Sequence, residues 1–489
     1  MSSGKKAIFV FPAAAGHINP SLPLARGLVS NGWVVDYLAI AEFKDKIEDT
    51  GATFFDRDSV CRELGIEDVT AMIKATATEY GDPPPQWWLN FGSISNATLL
   101  PIYIDWFRSR DPHLVVYCPV LCVVARLAAM HLKIPTVSLL TASGPGYFDA
   151  AIASMAGSAA LRGVATGLVA AVAAIEKNTQ AIESIRSQLA MPELTLNTCE
   201  PLCCDYYTET NLVSTTEELA DPMCVADTEY YRKAGKRFFY MGPLLEVAPM
   251  PPQGPHQELM RQVEAAVAIS RPVVYVSMGT VVTSDNTEHG WNATSGSGIT
   301  GKQLCQSVFR AVFEELGAKE TEGEEDGGMR VPLIVVSLGS LLTALEGVLV
   351  PPNAICAATV PQVELLQVAK PLLFVTNGGQ NSLMESMTVG SPVLVCPGFG
   401  DQVSNAAKVV TLGWGTKVDR PSPAPSPTTG ADEGADAAQQ LEYQTMVRSG
   451  VRAVLENECY TTQAQLIAAG LKHAEGVNGA LHILIEKSN

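Results

Sequence analysis

Three stretches put polar side chains where an apolar run stops and a helical pattern begins. The first is AAAGHINPSLPLARGL, residues 13–28, directly after the run AIFVF. Gly16 permits a tight turn there, and Pro20 suits a first helical turn. His17 then stands at a strand's C-terminal edge, where open α/β sheets bind ligands. An imidazole in that place can take a proton near neutral pH, or it can simply hydrogen-bond the turn. The second stretch is VSMGT, residues 276–280. Ser277, Gly279 and Thr280 offer hydroxyls and backbone N–H groups on which a phosphate can rest, although such loops are often empty.

The third stretch carries the most chemistry. LLFVT runs into Asn377-Gly378-Gly379 and then SLMESMTVG, a strand feeding a helix through a glycine turn. The dipole and unpaired N–H groups of a helix N-terminus favour an anion such as a pyrophosphate. Glu385 follows Asn381 and Ser382 at helical spacing, so all three can face one side. Asp401-Gln402, after the run PVLVCP, pairs an acceptor with an amide, a set suited to sugar hydroxyls.

The elements that hold these groups read as two series of short, β-branched runs. AIFVF, WVVDYLAI, ATFF, LVVY and TVSLL form the first; PVVYVSMG, PLIVVSLG, AICAATV, LLFVT and PVLVCP form the second. Runs without polar alternation suit parallel strands covered on both faces, and helical segments lie between them. The expectation is an α/β chain of two doubly wound, Rossmann-like domains facing each other across a cleft. We place the N-terminal domain at 1–242 and a proline-rich hinge, within EVAPMPPQGPH, at 243–256. The C-terminal domain is placed at 257–440, followed at 441–489 by helices that partly pack back on the first domain. Two inserts, TSDNTEHGWNATSGSGITG and GAKETEGEEDGGM, read as solvated, and 421–437 as a low-complexity loop.

Composition narrows the function. At 489 residues the chain exceeds one core, and its net charge of −18 argues against a nucleic-acid or anionic-membrane partner. Eleven scattered cysteines without a CxxC pair suit reduced thiols in a cytoplasmic compartment. No two of the seven histidines lie close enough in sequence to suggest a metal site. The N-terminal apolar run is too short for a signal peptide, and no run reaches the length of a membrane span.

The order GHxxP, then SxGT, then PQ…GGxNSxxES…GxP…P…DQ…NA resembles the family 1, UDP-sugar-dependent glycosyltransferases of the GT-B fold. The likeness is to microbial macrolide and plant natural-product enzymes, with motifs confined to residues 16–27, 277–280 and 358–406. The resemblance implies an inverting transfer of sugar from a UDP-type nucleotide sugar to a small apolar acceptor, with no obligatory cofactor or metal. It implies His17 as base, and Ser277, Gly279, Thr280, Thr359 and Gln362 on the donor side. Asn377, Gly379, Asn381 and Ser382 would meet the diphosphate, Glu385 the ribose, and Asp401 with Gln402 the sugar. Trp87, Trp88, Phe91 and Tyr147 could cover an apolar acceptor or pack the domain.

Three positions depart from that pattern. Asn377 stands where the family has a diphosphate-binding histidine, so the charge-assisted part of that contact is missing. Thr359 stands where a tryptophan stacks on uracil, and Cys118 where an aspartate orients the histidine. Asp105 and Asp111 are the nearby carboxylates in sequence. The departures keep two other readings open. One is an enzyme of this fold that cyclises, eliminates or isomerises a natural product, with His17 as acid or base and Cys118 even as nucleophile. The other is a non-catalytic binding protein.

Overall fold

A computed structural model describes residues 4–69, 86–147, 161–199, 203–245, 254–318, 329–339, 343–422 and 433–488, with a few short stretches between them. The chain divides into two compact units, Met1–Glu246 with Ala474–Asn489, and Val247–His473.

The first unit is a seven-stranded parallel sheet in the order β3-β2-β1-β4-β5-β6-β7. Its strands are β1 Lys6–Val10, β2 Val34–Ala39, β3 Thr53–Asp56, β4 Leu114–Tyr117, β5 Thr136–Leu140, β6 Thr210–Val213 and β7 Arg237–Tyr240. β4 and β5 are buried at every residue, as expected of parallel strands covered on both faces. Strand order reverses between β1 and β4, the kind of position beyond whose C-terminal strand ends open α/β sheets bind ligands. The last helix, Gly476–Lys487, belongs to this unit. It lies on the helix Leu22–Ser30, where Gly27 makes room for Leu481: a Cβ on Gly27 would sit 2.7 Å from Leu481 Cδ2.

The second unit holds a six-stranded parallel sheet ordered β12-β11-β8-β13-β14-β15, and a two-residue hairpin of β9 and β10. The strands are β8 Val273–Ser277, β9 Glu325–Asp326, β10 Met329–Arg330, β11 Leu333–Ser337, β12 Ala354–Ala357, β13 Leu373–Thr376, β14 Val393–Val395 and β15 Gly415–Lys417. Here the order reverses between β8 and β13. The helices Glu433–Glu456 and Glu458–Leu471 are part of this unit. Of the proline-rich hinge, residues 246–253 lie outside the described residues, and a helix already starts at Pro255.

One insert departs from the solvated reading. Residues 281–300 bury Trp291 and Ile299 in the core of the second unit. Arg420 explains why: its guanidinium donates to the carbonyls of Ala293 and Ile299 and ties the insert down. Thr300 and Gln303 then form a reciprocal capping box that opens the helix Gly301–Leu316.

Candidate active site

His17 sits in the short helix Ala15–Ile18, just past β1. Cys118 follows β4, the neighbour of β1, and Thr141 follows β5, the neighbour of β4. Sheet order alone therefore brings the three side chains together. His17 Nδ1 lies 2.9 Å from Thr141 Oγ1 and 3.3 Å from Cys118 Sγ. Nε2 has no hydrogen-bond partner among the described residues, so one ring nitrogen is held and the other is available. With Thr141 accepting from Nδ1–H, the lone pair falls on Nε2, the tautomer a base requires. Burial holds the imidazole down to about 4, so it is neutral at physiological pH.

No carboxylate hydrogen-bonds this histidine among the described residues. Asp105 is exposed and pairs with Arg108 at 2.6 Å, and Asp111 is exposed. Cys118 is fully buried, and its thiol is pushed up to about 12. A thiol so high is protonated at neutral pH, which weighs against Cys118 as a nucleophile. Thr141 escaped the sequence reading; adjacency of the run TVSLLT to LVVY was the signal that could have found it.

In the second unit, Ser277 ends β8 and Asn377 follows β13, adjacent strands at the order reversal. The two connections touch. A Cβ on Gly279 (φ 74°) would lie 2.5 Å from Asn377 Nδ2, so a glycine is required there for the amide to lie alongside. Asn377 is buried, and its Oδ1 accepts from Gly379 N–H at 3.4 Å. The amide thus closes a local turn on one of the donors an anion would use. Gly378 (φ 83°) faces Val395 and donates its N–H to Thr376 Oγ1. The helix Gln380–Val389 starts behind it with Gly379 as N-cap, so the cap residue supplies no side chain.

Gln362 is the hinge of a polar network under this turn. Its Nε2 donates to Glu385 Oε2 at 2.6 Å and to Ser382 Oγ at 3.0 Å, while its Oε1 accepts from Tyr275 Oη at 2.9 Å. Tyr275 stacks on Phe374 with centroids 4.8 Å apart. Glu385 is buried, and desolvation pushes its carboxyl up to about 7. Thr359 Oγ1 meets His256 Nε2 at 2.9 Å on an exposed edge. Thr280 is exposed, and Asn381 lies in the first turn of the helix.

Asp401 opens the helix Asp401–Leu412, with its Oδ2 accepting from Asn405 Nδ2 at 3.2 Å. The same Asn405 amide donates to Gly378 O, which links the glycine turn to this helix. Gln402 is buried, and its Oε1 accepts from the N–H groups of Gly398 and Phe399. The 396–402 connection is also gripped by Arg420, beyond β15, and by the insert. Arg420 donates to Gly398 O at 2.9 Å, and His289 stacks on Phe399 at 4.2 Å and 2°. Arg420 and His289 had no sequence signal, since only folding brings the insert to this loop.

On the acceptor side, Phe91 lines a cavity in the first unit, and Tyr147 packs against its hydrophobic core. Trp87 and Trp88 fall on the helix Gln86–Arg110, but their side chains lie outside the described residues.

Residues 344–422 match the family model UDPGT, UDP-glucoronosyl and UDP-glucosyl transferase, a span that holds the donor-side residues from Thr359 to Gln402. Among solved structures, CalG4, the calicheamicin glycosyltransferase, superposes with a TM-score of 0.61 at 16% identity, over 100% of this chain and 98% of that one. The fold is that of the GT-B glycosyltransferases. Among sequence relatives, the NDP-glycosyltransferase YjiC of Bacillus subtilis is 22% identical over 428 residues, 88% of each chain. The uncharacterized UDP-glucosyltransferase YojK of the same organism is 29% identical over 153 residues, 31% of this chain and only 33% of that protein. Relatives and structural neighbours alike are glycosyltransferases. In GT-B terms, the first unit carries His17 and the second the UDPGT-like segment. No helix among the described residues is long and apolar enough to cross a membrane.

Proposed function

We propose that this chain transfers a sugar, with inversion, from a UDP-type nucleotide sugar to a hydroxyl of a small apolar natural product. One observation carries the reading: the glycine turn, the uncapped start of the 380–389 helix and the Gln362–Ser382–Glu385 network sit together inside the UDPGT-matching segment. The diphosphate meets the helix N-terminus, whose dipole stabilises the departing charge in place of a cation. The ribose meets Glu385, and the sugar meets Asp401 with the amide nitrogen of Gln402. His17 removes the acceptor's proton through Nε2 as the hydroxyl attacks the anomeric carbon. Titration of the protein with UDP and a panel of nucleotide sugars by calorimetry tests this. Absence of binding at millimolar ligand sinks it.

A second reading draws on His17 itself. A histidine held by a hydroxyl and a thiol, and depressed to about 4, is a weak base for an alcohol. Together with Asn377 closing on Gly379, that favours a reaction other than transfer on the same fold, such as isomerisation or elimination. Turnover of an acceptor without any nucleotide sugar would select this reading.

A further inference from the structure

A cavity of about 120 Å³ opens at the C-terminal ends of β1, β2 and β4. Its walls come partly from Phe11 and Pro12, which lead from β1 towards His17, and from Val120 to Cys122, which follow Cys118. The two connections that carry the held histidine and its thiol neighbour therefore also shape this space. Most of the lining is hydrocarbon, with Leu38, Phe91 and Leu99 among it.

Polar residues interrupt that lining, Tyr103, Arg57 and Asn96 among them, and each can donate. Tyr103 is 4% exposed, lines the cavity, and its Oη has no hydrogen-bond partner among the described residues. Ser95 also borders the cavity, but its Oγ is fully buried and does not face the open space. Arg57 directs Nε and Nη2 to Asp58 Oδ1, at 3.0 and 2.9 Å, and leaves Nη1 unengaged among the described residues. Buried hydroxyls without partners are uncommon in native proteins, and each calls for an explanation. Burial pushes the Tyr103 phenol well up, so it stays protonated and offers its hydrogen. Asn96, on the same wall, can act in either sense.

The charge balance then decides what kind of ligand fits. Arg57 already has its counter-ion in Asp58. A carboxylate would bring an unmatched negative charge into a mostly apolar space, at a large desolvation cost. A hydrocarbon would leave the Tyr103 hydroxyl as it is, unsatisfied. A neutral oxygen acceptor satisfies both constraints. We propose that this cavity seats the acceptor and selects apolar molecules bearing a neutral carbonyl (a ketone, ester or lactone), which takes hydrogen bonds from Tyr103 and Arg57. The assignment rests on the transfer reading only for the ligand's being an acceptor.

Calorimetry on the full chain without nucleotide tests it with three probes on one phenol frame. These are 4-hydroxyacetophenone, 4-ethylphenol and 4-hydroxyphenylacetate, that is, a ketone, a hydrocarbon and a carboxylate. The ketone should bind about tenfold tighter than 4-ethylphenol, as one or two neutral hydrogen bonds allow, and the carboxylate should bind most weakly. Tyr103→Phe should cut the ketone's advantage by about three- to tenfold. The variant should keep the affinity for 4-ethylphenol and the melting temperature, because the Tyr103 hydroxyl has no partner among the described residues. Equal binding of ketone and hydrocarbon, tighter binding of the carboxylate, or no binding of any probe at millimolar concentration overturns the proposal. Ketone binding that responds to Tyr103→Phe, without glycosylation by any nucleotide sugar, upholds the cavity assignment and defeats the transfer reading alone.

Discussion

Cys118→Asp is the substitution that most directly interrogates His17. Sγ lies 3.3 Å from Nδ1, so a carboxylate oxygen near that point would face the imidazole directly. At that separation and an effective dielectric of about 20, the attraction for an imidazolium is roughly 5 kcal/mol. Cys118 is fully buried, so the carboxylate's own desolvation consumes part of this, and a shift of about 1–3 pKa units is the realistic outcome. His17 should therefore rise from about 4 to roughly 6, close to the pH at which a base works. If sugar transfer is the reaction, turnover at neutral pH should rise about tenfold or more. The cost is stability: above the new imidazole pKa the aspartate faces a neutral ring, and a buried unpaired charge of this kind costs about 3 kcal/mol. The melting temperature should drop at pH 8 and recover partly near pH 6. Titration of the His17 ring by NMR reads the first effect, and initial rates and thermal melts over pH read the others. A ring that still titrates near its native value, or a loss of turnover with the pKa raised as expected, refutes the reasoning.

Four further outcomes follow from the same geometry. Thr141→Val removes the 2.9 Å partner of Nδ1 and should cost about 0.5–1.5 kcal/mol of stability and lower kcat, with KM little changed; unchanged kcat would take Thr141 out of the site. Glu385 keeps its proton to about pH 7 when folded but to about 4.5 when unfolded, so the folded state binds the extra proton between those values. Its contribution, up to about 3 kcal/mol, is lost as pH rises through that window, whereas UDP affinity should increase as the carboxylate ionises near pH 7. Glu385→Gln should flatten both profiles. Asn377→His should tighten UDP by restoring a charge-assisted donor, most clearly below pH 7, and Thr359→Trp should add about 1–3 kcal/mol if the base lies there; calorimetry showing no change in either variant removes these positions from the donor site. Gly378→Ala places a methyl 2.5 Å from Val395 Cγ1 at a φ of 83°, and should destabilise the protein by about 1–3 kcal/mol in denaturant melts.

Much of the fold was legible in the chain because its signals are local. An apolar run such as PVVYV or LLFVT reads as a strand buried on both faces, whatever its neighbours turn out to be. The same is true of TNGGQNS, where glycine conformational freedom and a helix start are written within a few residues. Solvent exposure of an insert is not local, which is why 283–301 read as solvated. Its apolar Trp291 and Ile299 found a core only because Arg420, more than a hundred residues on, holds their loop.

The sequence by itself determined the two series of parallel strands, the glycine turn between β13 and its helix, and the absence of a histidine at 377 and an aspartate at 118. Each depends on residue type and near spacing alone. Tertiary structure alone decided which side chains share a site. Strand order set Thr141 and Cys118 on one ring nitrogen, laid Asn377 against Gly279, and joined Gln362 to both Ser382 and Glu385. The physical reason is that adjacent parallel strands are joined by long crossovers, so groups a few ångströms apart can be separated by twenty to over a hundred residues of chain.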